Sequence, residues 1–127
     1  MPAVRRVAIP AVGLGLALLA AAFTRPPHQP APSVFALLFT TGPGWDSSRP
    51  PAQQAHFGAH SANLSRLRQA GIIVAGGRFG AYGLILVRAP GRDSVNALLR
   101  PDSSLVAGTF KVEVAPWSTV YEGTITR

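Results

Sequence analysis

From Val34 to Thr41 the chain reads VFALLFTT, a short apolar run stopped by Gly42-Pro43-Gly44. That length and that flank predict a buried strand. A polar loop containing proline follows over Trp45 to Pro51. Gln53 to Ala70 contains no proline and stops at Gly71; within it Phe57, His60, Leu64 and Leu67 are spaced i, i+3, i+7, i+10. This spacing lays one stripe along a helix toward the core and leaves Arg66 and Arg68 pointing outward. Gly71 suits the helix end, because glycine adopts the left-handed conformation without a Cβ clash. Ile72 to Ala75 predicts a second strand closed by a turn at Gly76-Gly77, and Gly83 to Ala89 (GLILVRA) a third, broken by Pro90-Gly91. Asp93 can cap a short helix over Ser94 to Leu99, which Pro101 ends. In Thr109 to Ala115, Phe110, Val112 and Val114 alternate with Lys111, Glu113 and Ala115, the period of a half-exposed strand.

The resulting order, β-α-β-β-α-β, predicts an α+β domain of ferredoxin-like type: a four-stranded antiparallel sheet with two helices on one face. The other face of that sheet needs a cover. A domain of about 100 residues has little apolar burial to spare. A homodimer packed sheet to sheet is therefore the expected remedy.

Ahead of this pattern lies a different one. Arg5 and Arg6 are followed by an uncharged stretch, Val7 to Phe23, whose dense part reads AVGLGLALLAAAF, with small residues at Ala20 and Ala22. A positive start, an apolar segment and a small-x-small site are the parts of a secretory signal. The expected division is a cleavable signal at 1–22, a stiff Pro-rich linker at 23–33 and one folded domain at 34–127. The rival is an uncleaved anchor, but a spanning helix takes about 20 apolar residues, and this segment is shorter and contains Pro10. Both readings put the domain outside the cytoplasm, periplasmic or secreted, and a membrane is involved only if the segment stays.

Composition changes the picture in two places. There are no cysteines, which removes disulfides, thiolate metal sites and a Cys nucleophile. The net charge of +7, from 12 basic and 5 acidic residues, invites a nucleic-acid reading. The basic residues of the domain are scattered singly, however, with no tract and no interleaved aromatics, and nucleic acid is not expected as a partner.

Three segments, LLFTTGPGWD, AHSANLSRLRQAGIIVAGGRFG and DSSLVAGTFKVEVAPW, resemble the YCII-related (YciI-like) domain family, a branch of the dimeric α/β-barrel superfamily. The resemblance runs from about Val34 to Trp117. Its most specific parts are His60 with Leu64 and Leu67, the Gly76-Gly77 pair, and the spacing from Asp102 through Gly108 to Pro116-Trp117. It implies a dimeric α/β barrel and an active site made of His60 and Asp102. Two departures stand out: Gly77-Arg78 where the family usually has Gly-Pro, and Asp102-Ser103 where it usually has Asp-Pro. The first brings a cation near the pocket mouth; the second changes how the Asp turn is held.

Each candidate also has a plain reading. His60 on an apolar stripe can be a core histidine bonded to a backbone group, or a general base oriented by a carboxylate. Asp102 before Ser103 and Ser104 can be a helix N-cap, or the partner that the resemblance assigns to His60. His56 and His60 have the i, i+4 spacing of a metal pair, but no third ligand is evident and no metal or cofactor is expected. Ser61 and Ser65 lack the setting of a nucleophile elbow. Gly76 to Gly80 is glycine-rich but leads to a strand, whereas phosphate loops lead into a helix. Trp117 is expected in the core. Three functions remain open: a cofactor-independent isomerase- or lyase-type enzyme acting on a small organic molecule through His60 and Asp102, a non-catalytic ligand-binding or assembly module using the same cleft, and a structural exported domain.

Overall fold

Phe35, Leu37 and Phe39 are buried along one face of the first strand, β1 (Ser33–Thr41), while Ala36 and Leu38 are half-buried on the other. The computed structural model describes residues 32–124. The expected signal at 1–22 and nearly all of the linker lie outside the described residues. After β1 come a short 3-10 turn (Pro51–Gln53), α1 (Phe57–Gln69), β2 (Ile73–Phe79), β3 (Tyr82–Ala89), α2 (Arg92–Leu99), α3 (Ser103–Val106) and β4 (Phe110–Pro116). The sheet order is β2-β3-β1-β4, and every pairing is antiparallel. This is an α+β domain consistent with a ferredoxin-like arrangement.

Register fixes which side chains share a face. Leu37 pairs with Ile85 and Val114, and Phe39 with Gly83 and Val112. These positions lie on the side where Val95 and Leu99 of α2 join Phe35, Leu37, Phe39, Val87 and Ala89, with Leu64 of α1 and Leu105 of α3 against them. The helices therefore cover one face of the sheet. Ala36, Leu38, Leu84 and Leu86 form the middle of the other face, edged by Arg88, Lys111 and Glu113.

Several boundaries move from the sequence expectation, each for a local reason. The helix begins at Phe57 instead of Gln53. The Gln54 side chain is tied to Asp46 and Arg49 backbone groups, and His56 takes a left-handed φ of 59° that breaks helical continuity. Its end is as expected: Gly71 has φ +69° and donates to Arg68, while Ile72 donates to Leu67, a Schellman closure. The expected turn at Gly76-Gly77 is absent, because β2 runs on to Phe79. The reversal lies at Gly80-Ala81, between paired Phe79 and Tyr82, where Gly80 supplies the positive φ of 58° at the first turn position. Gly91, not Asp93, precedes α2, with Asp93 inside its first turn. Trp117, expected in the core, is 41% exposed.

Gly42-Pro43-Gly44 does more than end a strand. Gly42 N donates to Thr109 O at 2.9 Å and Gly44 N to Gly108 O at 2.8 Å, so two backbones run in contact where β1 leaves and β4 begins. A Cβ on Gly42 would sit 2.0 Å from Gly108 O. Gly42→Ala is accordingly expected to cost at least about 2 kcal/mol, since the obstacle is backbone and cannot swing away. Gly58→Ala, in α1 with nothing within 4 Å of the new carbon, is expected to be neutral or stabilising by up to about 1 kcal/mol. Urea denaturation of both variants checks the contrast.

Candidate functional site

The stripe on α1 turns His60 inward, and its ring settles among aromatics. Its centroid lies 4.5 Å from Phe110 and 4.9 Å from Phe39, the latter edge to face at 71°, with Phe57 at 6.4 Å. Only 11% of its side chain is exposed. Asp102 sits at the turn between α2 and α3 with none of its side chain exposed. Separated by 42 positions in the chain, the two meet: His60 Nδ1 lies 2.7 Å from Asp102 Oδ2. The other carboxylate oxygen, Oδ1, accepts from Ser104 N at 3.1 Å and from Ser104 Oγ at 2.5 Å. Asp102 is thus both an N-cap of α3 and the partner of His60. Neither reading of it excludes the other.

Protonation follows from this inventory. Burial is the largest influence on Asp102 and pushes its pKa up. The hydrogen bonds from His60 and Ser104, with the charge of His60, outweigh burial and hold the carboxyl below its ordinary value. An ionised carboxylate only accepts, so His60 Nδ1 carries the hydrogen. In a neutral imidazole Nε2 is then a bare lone pair. Among the described residues no buried side-chain nitrogen or oxygen lacks a partner, yet Nε2 makes no hydrogen bond. Nε2 therefore keeps surface open to solvent.

That solvent is a cleft of about 610 Å³ between the N-terminal half of α1 and the end of the sheet. Its walls are Phe39, Phe57, Phe110, Leu64, Ile85 and Trp45, and His60, Ser61 and Arg78 bring polar atoms to it. The long loop before α1 forms one side and is held by side chains. Gln54 bonds Asp46 and Arg49 backbone groups, and Thr109 Oγ1 donates to Ala55 O at 2.7 Å. The start of α1 is pinned again where His56 Nδ1 meets Ser103 Oγ at 2.9 Å. His56 thus turns to α3, apart from His60, and no group of three metal-ligating side chains occurs among the described residues. Ser65 accepts from Gln69. No described helix is long and apolar enough to cross a membrane.

Sequence reasoning singled out His60 and Asp102, and they are brought together. It left Trp45 open between a pocket wall and the core, and Trp45 lines the cleft; it gave no role to Ser104, which holds Asp102. The Asp-Ser-Ser run carried a capping signal for Ser104. For Phe39, Phe110 and Ile85 no signal separates a core position from a wall, because the cleft is an opening in the core itself.

Asp102 sets an acid limb on stability. Its folded pKa is depressed, so its contribution is complete above the ordinary carboxylate value of about 4 and is lost as pH falls through the lower folded value. Stability measured by urea denaturation should decline from about pH 5 downward and decline less steeply in Asp102→Asn. At neutral pH Asp102→Ala should cost about 2–4 kcal/mol, since it strips the α3 cap and leaves His60 Nδ1 unpaired.

No family model, no curated protein and no solved structure matches the chain.

Proposed function

We propose that this chain is an exported YCII-like protein performing cofactor-independent acid/base chemistry, of isomerase or lyase type, on a small organic molecule. One observation carries the reading: His60 Nε2 is unpartnered at an apolar cleft while Nδ1 is held by a buried, ionised Asp102. In such a pair Nε2 accepts a proton from a carbon next to a carbonyl. The C–H electron pair passes into the enolate, and the N–H bond that forms creates an imidazolium beside the carboxylate. Returning the proton to another atom completes an isomerisation; loss of a leaving group from the enolate completes an elimination. Asp102 fixes the tautomer and steadies the imidazolium, as the third member of a catalytic triad does. The element order is the one expected of a ferredoxin-like domain, and His60 and Asp102, which the YCII-related resemblance pairs, lie in contact. In this chain, where Asp102-Ser103 stands in place of the family's usual Asp-Pro, Asp102 Oδ1 is held by the backbone N–H and hydroxyl of Ser104.

The test is proton exchange. Small carbonyl acids incubated in D2O with the protein should exchange hydrogen for deuterium next to the carbonyl, followed by NMR. His60→Gln should slow this by about 10²–10⁴-fold. Ring 15N shifts should show the hydrogen of the neutral imidazole on Nδ1, and Asp102→Asn should redistribute it toward Nε2. A wild-type ring protonated on Nε2, with no exchange in any acid tried, would leave the cleft as a binding module without catalysis.

We also propose that two copies associate through their uncovered sheet faces, forming a dimeric α/β barrel. Ala36, Leu38, Leu84 and Leu86 supply the apolar middle of that face, and Arg88, Lys111 and Glu113 its charged edge. Light scattering on residues 23–127 should give twice the monomer mass. A monomer at micromolar concentration would count against the barrel.

A further inference from the structure

Residues paired across the sheet fall into rows, and one row runs through the cleft. Arg78 of β2 pairs with Gly83 of β3, Gly83 with Phe39 of β1, and Phe39 with Val112 of β4. Paired residues share a face, so Arg78 stands on the side of the sheet that carries Phe39 and, beyond it, His60. Between Arg78 and Phe39 the row holds a glycine. Two strand spacings separate them, roughly 10 Å, and Gly83 puts no side chain in the gap. Gly77 and Ala81, which also line the cleft, add at most one methyl group. The extension of β2 through Gly76-Gly77 is what brings Arg78 into this row.

Charge is distributed just as unevenly. Among the described residues Arg78 is the only permanently charged side chain lining the cleft, and no carboxylate lines it, since Asp102 is fully buried behind His60. Among the described residues Arg78 makes no ion pair and no side-chain hydrogen bond. A guanidinium free at the edge of an apolar pocket offers a planar fork of donors that matches a carboxylate in two parallel hydrogen bonds. The remaining walls are aromatic and aliphatic and favour an apolar body.

We infer that the cleft takes a small, mostly apolar monocarboxylate, whose carboxylate binds Arg78 and whose body lies over Gly83 with its reacting end at His60 Nε2. The inference rests on the reading of the cleft as a small-molecule site. It adds a specificity residue: Arg78 selects for the anion and fixes which end of the ligand meets the base. Among the described residues one unpaired cation lines the cleft, which fits a ligand with a single negative charge.

Isothermal titration of the full chain with benzoate and with its neutral isostere benzamide tests this. Wild type should bind benzoate at least about tenfold more tightly than benzamide, the worth of a charge-assisted pair. Arg78→Gln should remove that preference and leave benzamide binding unchanged, which also reports that the variant is folded. Arg78→Lys should restore part of it, keeping the charge without the fork. Equal affinity for the two ligands, no binding of either, or a benzoate preference that survives Arg78→Gln would overturn the inference, whatever the exchange chemistry of His60. If no carbonyl acid exchanges but the benzoate preference depends on Arg78, the anion site stands and the catalytic reading falls.

Discussion

A carboxylate with no exposed surface persists in ionised form only while its oxygens are hydrogen-bonded, and Asp102 is in that position. Its lone pairs are met from two directions, by the α3 backbone and hydroxyl at Ser104 and by the α1 ring at His60. Two helices are thereby referenced to one group. If α1 rotated by one residue, His60 would leave the carboxylate and Ser61, now exposed on the cleft, would face it. The rotation of α1 on the sheet is therefore set by electrostatic need as well as by Leu64 and Leu67, whose apolar contacts tolerate small slippage more easily.

The same constraint reaches the backbone. α3 is four residues long and could not persist alone. It is held at its start by Asp102 and at its end by Gly108, whose carbonyl receives Gly44 N across the gap that Gly42 and Gly44 leave open. The chain leaving β1 is thus clamped to the chain entering β4, and the loop that follows is carried to the mouth of the cleft. Gln54 then binds that loop from inside. Trp45 reaches the cleft through this clamp, whereas Phe57 reaches it along the same α1 stripe as His60.

What the sequence made legible divides by range. Period-2 alternation in β4 and the spaced stripe on α1 are imprints of burial on one face, and both were readable because the cause is local. The apolar run of β1 was readable for the opposite reason: a central strand is apolar on both faces, as Ala36 and Leu38 opposite Phe35 and Leu37 show. β2 was misjudged because two consecutive glycines carry a turn signal, whereas here they continue an edge strand whose open side tolerates them. A Cβ at Gly76 would meet the terminal Cδ1 of Ile85 at 2.8 Å, a side-chain end that can swing aside, and one at Gly77 would meet nothing within 4 Å. The His60–Asp102 contact spans 42 residues and leaves no local trace in composition or spacing. Only a family resemblance suggested it.

Stability alone does not account for such a contact. A buried ion pair is weak evidence for stability, and an apolar pair of similar volume would hold α1 to α3 without the desolvation cost. The ring could also have been satisfied by a backbone carbonyl, which needs no charge. An apolar pair or a carbonyl acceptor would still close the core. Only a full negative charge behind Nδ1 both fixes the hydrogen there and favours the positive ring that the proposed proton transfer to Nε2 requires. The Phe39 and Phe110 contacts hold the ring plane, so that lone pair keeps one direction. Three costs are incurred at one point: a desolvated carboxylate, a ring held in one orientation and an opening in an otherwise apolar core. They converge on one unpartnered nitrogen, and the proton acceptor we propose there is a role that uses all three.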